Sequence, residues 1–421
     1  MEPVPPVGQV FFPLDDELAL LPGRLTPQLQ EHLTHLASWM PFARAAQMLE
    51  RLLGVQVSEP TVRRKTLDAG TRSQVRQTSS HDASWQANSG GDKQVISVDG
   101  AYVPLIGGEW AEVRTLVIGE IDVAKKHQGK QETKVERLSS FSRLTDADTF
   151  GELAQGEMER RGVPSAKAVC AVMDGADWLQ GFVDLHRPDA VRILDVPHAA
   201  HHLSQLIEAL QQAGVRLPAD VLPRSIHILK HRGPGLFVRW YDRLPPLIKE
   251  GEAVSKQEAY LRKRLSLMDY PTFQREGWPI GSGMVESANK LVVQARLKGA
   301  GMHWQRHHVN AMLTLRNAVC NERWSECWHE GVQQQQSEHA LKRTQRAEKR
   351  WQEVCSSLLH CLLRSHPSTP APLATPSPPV EPPVAVRSAE PCATLPGSSR
   401  PSPHHIWKRL PACRPKEIAK I

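Results

Sequence analysis

Two apolar segments that close on the same tripeptide constrain the fold of this chain more than any other feature. Val95-Ile96-Ser97-Val98 runs into Asp99-Gly100-Ala101, and the mostly apolar stretch Lys167–Met173 runs into Asp174-Gly175-Ala176. Short β-branched runs bounded by glycine read as strands. Taken singly, an aspartate beside glycine is also an ordinary turn residue. Taken together, two such ends on neighbouring strands would project both carboxylates from one edge of a sheet, and that edge is where open α/β sheets place their sites.

The surrounding pattern fits a sheet. Alternation over 112–121 predicts a second strand and 132–144 a third. A helix is expected over 146–161, a strand over 167–173, a helix over 178–185, a strand over 190–196 and a helix from His198. Three strands, helix, strand, helix, strand describe a mixed α/β sheet with helices packed on it. This is the pattern of a ribonuclease-H-like core, although several α/β folds share it.

The remaining segments divide by texture. Residues 1–16 read as a Pro-rich arm. Residues 17–72 read as a helix-turn-helix region: Leu29, Leu33, Leu36, Phe42, Ala45 and Leu49 recur at helical spacing, Gly54 stops one helix, Ser58 caps the next, and that second helix carries Arg63, Arg64 and Lys65. Residues 73–92 read as a linker or a solvated helix. The first part of the core spans 93–203, a helical insertion 204–272, and the remaining core with C-terminal helices 273–360. The proline-dense segment 361–421 cannot build a packed core and is expected to be disordered.

Composition narrows the partners. The formal net charge of +7 permits a nucleic-acid partner without requiring one. Seven cysteines without CxxC spacing, and no charged-then-apolar leader, point to reduced thiols in a cytosol. No apolar stretch is long enough to span a membrane.

The chemistry follows from the acids. Two carboxylates at close range raise one another's pKa, and a divalent cation between them removes that conflict. Oxygen-only ligands suit Mg²⁺. A third carboxylate would complete a two-metal site. Glu286 is the best candidate, since it opens a helix after the loop Pro279-Ile280-Gly281-Ser282-Gly283. The alternative is a simple helix-start carboxylate, although Ser282 and Glu286 are one residue too far apart for a capping box. His198, His201 and His202 invite a zinc reading, but no third ligand accompanies them. Basic residues cluster at Arg63–Lys65, at Lys290, Arg296 and Lys298, and at Lys342, Arg343, Arg346, Lys349 and Arg350, with Trp304 among the interleaved aromatics. Arg with Trp suits stacking on DNA ends. A solvated helix face and a core tryptophan remain the alternatives.

These motifs resemble a known family. Ser97–Ala101 with Trp110–Glu120, Val172–Leu179, and above all Trp278–Trp304 are similar to the three acidic motifs of insertion-sequence transposases of the Kra type. Val57–Arg64 resembles the family's N-terminal DNA-binding region. The likeness covers roughly Gly8 to Trp328, and the tail shares only its Pro-His-His-Ile-Trp-Lys-Arg segment.

The resemblance implies a DDE transposase with Asp99, Asp174 and Glu286 as catalytic and metal-binding residues and two Mg²⁺ (or Mn²⁺) ions. It implies Asp195 and His198 as a supporting element, and an all-helical insertion ahead of the glutamate. The implied partners are double-stranded DNA, at transposon ends and target, and a second protomer or more. The implied setting is a bacterial cytoplasm at the nucleoid, without membrane or nucleotide cofactor; no Walker-type loop is present. Arg63, Arg64, Lys65, Lys290, Arg296, Lys298 and Trp304 are the expected DNA contacts. Residues 1–70 are expected to be removable without unfolding the catalytic domain. An inactive DNA-binding repressor derived from a transposase and a structure-specific nuclease that does not join remain as other classes.

Overall fold

A computed structural model describes residues 25–79, 91–123 and 133–364. The expected arm lies outside these residues, as does the expected proline-rich tail beyond 364; residues 361–364 end the last helix. The chain forms two compact units, Met1–Gln352 and Glu353–Ile421, and the described part of the second is helical.

The core of the first unit is a five-stranded sheet. Its strands are β1 (Lys93–Pro104), β2 (Trp110–Val123), β3 (Thr133–Arg143), β4 (Ala168–Met173) and β5 (Val191–Leu194), in the order β3-β2-β1-β4-β5. β1, β2 and β3 pair antiparallel, whereas β4 runs parallel to β1 and β5 parallel to β4. That order and orientation define a ribonuclease-H-like sheet.

Alternation along β1 sorts its side chains to two faces. Ile96 and Val98 pack with Phe150, Met158, Leu179 and Phe182 from helices α4 (Ala147–Arg160) and α5 (Asp177–His186). Val95, with Cys170 and Val172, packs against α6 (Val196–Gln212) and the helices that follow it. Burying both faces accounts for the continuous apolar run of β1 and β4.

The expected insertion is present as α7 (Val221–Arg232), α8 (Gly235–Asp242), α9 (Pro246–Lys249), α10 (Glu252–Lys263) and α11 (Tyr270–Arg275). Residue 204 falls inside α6, so the helical segment grows directly out of the core helix. Beyond it come α12 (Gly283–Ala288), a π-helical turn (Asn289–Gln294), α13 (Ala295–Leu297), α14 (Arg306–Cys320) and α15 (Trp324–Arg364).

Helix α14 closes the open edge of the sheet with three asparagines. Asn310 Oδ1 accepts from the Leu144 N–H at 2.8 Å while its Nδ2 donates to the Leu144 carbonyl at 3.0 Å. Asn317 makes the same pair of bonds with Ser142 at 3.1 and 3.2 Å. Asn321 makes it with Ser140 at 2.8 Å in both directions. Residues 140, 142 and 144 are the alternate positions whose main-chain groups point away from β2. The amides therefore act as a substitute strand on an edge that would otherwise be open to foreign pairing.

The N-terminal helices α1 (Pro27–Trp39), α2 (Phe42–Leu53) and α3 (Glu59–Ser79) share a small core of Leu33, Ala37, Ala45, Leu49 and Val62. They also belong to the same compact unit as the sheet. A Cβ on Gly70 of α3 would lie 2.2 Å from the Ala311 carbonyl oxygen of α14, so only glycine permits this crossing. Arg296 Nε donates to Ala37 O at 2.8 Å, and Arg316 Nη1 donates to Ser38 O at 3.1 Å, so two buried guanidiniums hold the last carbonyls of α1. The expectation that residues 1–70 detach cleanly is thus corrected: their removal would strip partners from two buried cations and uncover α14. Helix α3 also runs through Ser79, well into the stretch read as a linker or a solvated helix.

Candidate active site

Asp99 is not at a strand end. β1 continues through it to Pro104, because β2 keeps pairing after β4 has stopped, with Asp99 opposite Thr115. The turn reading of Asp99 is thereby corrected. Register still aligns the two aspartates. Lys93 pairs with Ala168 and Ile96 with Ala171, an offset of 75 that also separates Asp99 from Asp174. Ser97 Oγ donates to Val172 O at 2.6 Å at that same offset, so the strands stay in step up to the site. The two carboxylates therefore stand level, one residue beyond the last of β4.

Their charges interact. Burial pushes the Asp99 carboxyl above its ordinary range and the charge of Asp174 adds to the push, while the Gly100 backbone and the Asn289 amide oppose it. Asn289 Nδ2 donates to Asp99 Oδ2 at 2.9 Å.

Asp174 is held through its backbone. Its side chain accepts from Ala176 N at 2.8 Å, and its carbonyl accepts from Tyr260 Oη at 2.7 Å. The next carbonyl, of Gly175, accepts from Arg264 Nε at 2.9 Å and Nη2 at 2.6 Å. Gly175 has φ +82°, and a Cβ there would meet Arg264 Nε at 2.8 Å, so the turn needs glycine on both counts. Arg264 also lies over the Tyr260 ring at 3.8 Å. The insertion thus braces the second aspartate through two side chains one helical turn apart, a role that residue type alone did not signal.

Asp195 joins the core to the glutamate segment. It is fully buried. Oδ2 pairs with His198 Nδ1 at 3.0 Å, and Oδ1 accepts from Ser282 N at 2.7 Å. Val196 N donates to Ile280 O at 3.2 Å alongside. The bond to Asp195 raises the His198 pKa, and the charges of Asp195, Asp174 and Asp99 add to that rise against the opposing effect of burial. Asp99, Asp174, Asp195 and His198 therefore form one electrostatic cluster.

Glu286 is not among the groups that shift Asp99 or His198, although its helix packs against β1 and β2. The residue is exposed in the first turn of α12, and Ser282 makes no side-chain cap there. The helix that Glu286 opens runs on without a break through the π-helical turn to Leu297. Among the described residues, no three His, Cys, Asp or Glu side chains converge as a metal-ligand set. What touches Asp99 from this segment is Asn289, one turn beyond Glu286, which is buried and whose Oδ1 has no hydrogen-bond partner. Its spacing from Glu286 was the available sequence signal.

The expected DNA contacts divide. Arg63, Arg64, Lys290 and Lys298 are exposed. Lys65, Arg296 and Trp304 are buried, so these three expectations are corrected. Arg296 lies over Phe42 at 4.7 Å and Trp304 at 5.2 Å, and Trp304 Nε1 donates to Leu297 O at 3.0 Å. Lys65 turns inward to Gln30 Oε1 at 3.4 Å. His202 is occupied as well, stacked on Tyr260 at 3.5 Å and bonded to Gln257 at 2.8 Å. Among the described residues, no helix is long and apolar enough to cross a membrane.

Donor chemistry at the sheet edge suits a hard dication. Two level carboxylates that repel one another, beside an amide oxygen without a partner, match the one or two carboxylates that Mg²⁺ takes along with water and phosphate.

No family model matches the chain, and no curated protein matches it. Among solved structures, it is similar to the Drosophila P element transposase strand transfer complex at 10% identity and a TM-score of 0.25, over 72% of this chain and 80% of that one.

Proposed function

We propose that this protein is a DDE-type transposase that binds the terminal inverted repeats of an insertion sequence, hydrolyses a phosphodiester at the element's end and transfers the freed strand into target DNA. The observation that carries the reading is the pairing of Asp99 and Asp174: level on adjacent parallel strands of a ribonuclease-H-like sheet, and coupled through their charges. The likeness of the three acidic motifs to the Kra-type family supports it.

Asp99, Asp174 and Glu286 would hold two Mg²⁺ or Mn²⁺ ions, which when bound supply a metal-activated nucleophile and neutralise the leaving oxygen. The chain's own residues have distinct tasks. Asn289 fixes the rotamer of Asp99. Tyr260 and Arg264 fix the turn that carries Asp174. Asp195 ties the loop before Glu286 to the core, and its bond to His198 favours the protonated imidazole beside the acids. Glu286, exposed at the start of a helix that packs on β1 and β2, would supply the third carboxylate. Joining two ends calls for at least two protomers on the DNA.

The test is strand transfer from a labelled duplex carrying the inverted repeats that flank the coding sequence, in Mg²⁺. The intact protein should yield joined product and Glu286→Gln none. Full joining by Glu286→Gln would remove that residue from the site. Cleavage without joining would mark a nuclease, and binding without either a repressor.

A further inference from the structure

Helix α15 carries a run of cations that the carboxylate site does not use. His339, Lys342, Arg343, Arg346, Lys349 and Arg350 are all exposed. At 100° per residue they fall within an arc of about 120°, the same arc as Gln335. Glu348, Leu341 and Trp351 lie outside it. The spacing puts Lys342 and Arg350 each four residues from Arg346, and Arg343 and Lys349 each three from it, so like charges crowd one face. Glu338 flanks the arc near Lys342.

That face leads into a cleft. Gln335 and His339 of α15 form one wall, and Arg64 and Arg72 of α3 contribute to the other, with Asp68 and the Gln30-bound Lys65 also lining it. Arg72 Nε is buried there without a hydrogen-bond partner among the described residues, and the charges of Asp68 and Glu338 act on its guanidinium. Ser58 and Thr61, at the start of α3, line the same cleft, so the positive end of that helix faces it.

We propose that this cleft and the cationic face of α15 grip the phosphate backbone of duplex DNA. The cations from His339 to Arg350 extend over roughly 16 Å of helix, the axial length of about five base pairs. A row of cations with regular spacing, met on its own arc among the described residues only by Glu353, suits a polyanion of regular spacing. The proposal rests on reading the chain as a DNA-processing protein, and it adds a second, metal-independent contact on elements other than those that carry the acids. Phosphate contacts of this kind position a duplex and do not read its sequence.

The test is duplex binding in EDTA, read by fluorescence anisotropy over a salt series, using the full chain and a duplex of unrelated sequence. Arg346→Ala/Lys349→Ala/Arg350→Ala changes only exposed side chains. It should weaken binding about tenfold or more and flatten the log K against log salt slope by about 2–3, since each phosphate contact contributes about 0.9. Arg64→Ala should lower the slope by about 1. The control is Arg216→Ala/Arg232→Ala/Lys256→Ala, exposed cations on and beside the insertion, with the same loss of charge. It should leave the slope unchanged. Equal losses in the two triple variants would reduce the effect to net charge and overturn the proposal, as would wild-type binding by the α15 variant. Circular dichroism of each variant confirms the fold. Intact protein that binds no duplex at all would overturn this proposal and the functional reading together. Normal binding by the α15 variant overturns this one alone.

Discussion

Two parts of one sheet treat their polar groups in opposite ways. Along β3, Asn310, Asn317 and Asn321 meet the outward N–H and C=O of Leu144, Ser142 and Ser140 one for one. At the β1–β4 end, two carboxylates stand level, Asp99 is driven towards its neutral form, and the Asn289 Oδ1 is buried without a partner. One end is closed by hydrogen bonds within the chain. At the other, no group among the described residues pairs with the Asn289 Oδ1, and burial with the charge of Asp174 still raises Asp99. Groups left in that condition mark where something else binds.

The comparison breaks first, and most visibly, at Asn317. It is 3% exposed, and Asn317→Leu keeps the forked shape of the side chain, at a larger volume, while removing both bonds to Ser142. A buried N–H and a buried C=O lose their partners, which costs roughly 2–5 kcal/mol of unfolding free energy. Urea unfolding followed by circular dichroism reads the loss. An unchanged midpoint would mean that the β3 edge does not depend on the amide clamp.

At the other end the sign reverses. Because the folded pKa of Asp99 is raised, its ionised form opposes folding, so stability is highest below the carboxylate range and falls as pH rises through the folded value. Asp99→Asn should therefore be more stable than the intact protein at neutral pH, by less than the Asn317 loss, while strand transfer is abolished. The gain should shrink as the pH is taken below the carboxylate range. A variant that is destabilised at neutral pH would show that Asp99 is structural.

The sequence carried the sheet well and its clamps poorly, for a physical reason. Hydrophobic period and the Asp-Gly-Ala pairs located the strands around Asp99 and Asp174, because burial on both faces writes itself into residue type. The Asn ladder did not stand out: asparagines at helical spacing look the same whether they face water or a strand edge. Arg296, Trp304 and Lys65 resembled a DNA surface because a guanidinium over an indole is the same pattern in a core as on a stacked base. Burial decides between the two, and burial is tertiary. Asp99 looked like a turn because the longer pairing with β2 lies beyond its local sequence. The brace from Tyr260 and Arg264 joins elements some 86 and 89 residues apart, beyond any local signal.

His198 gives the smallest effect and the sharpest discrimination. Its pKa is raised from 6.5 by the bond to Asp195, so the pair stabilises the fold fully below the ordinary value and loses that contribution as pH rises through the raised one. The side chain is 42% exposed, so solvent holds the effect to about 0.5 kcal/mol, visible as the difference in unfolding free energy between the intact protein and His198→Gln across a pH series. Asp99 and His198 thus share one contribution: the negative charge of the cluster adds to the burial that raises Asp99 and to the Asp195 bond that raises His198. A dication beside Asp99 and Asp174 would relieve both, so adding Mg²⁺ should bring the His198 titration, followed by NMR, back down towards 6.5. Asp174→Asn should lower it without metal and remove most of the response to Mg²⁺. If His198 titrates identically with and without Mg²⁺ in the intact protein, the level carboxylates take no dication, and the difference between the two parts of the sheet is one of packing alone.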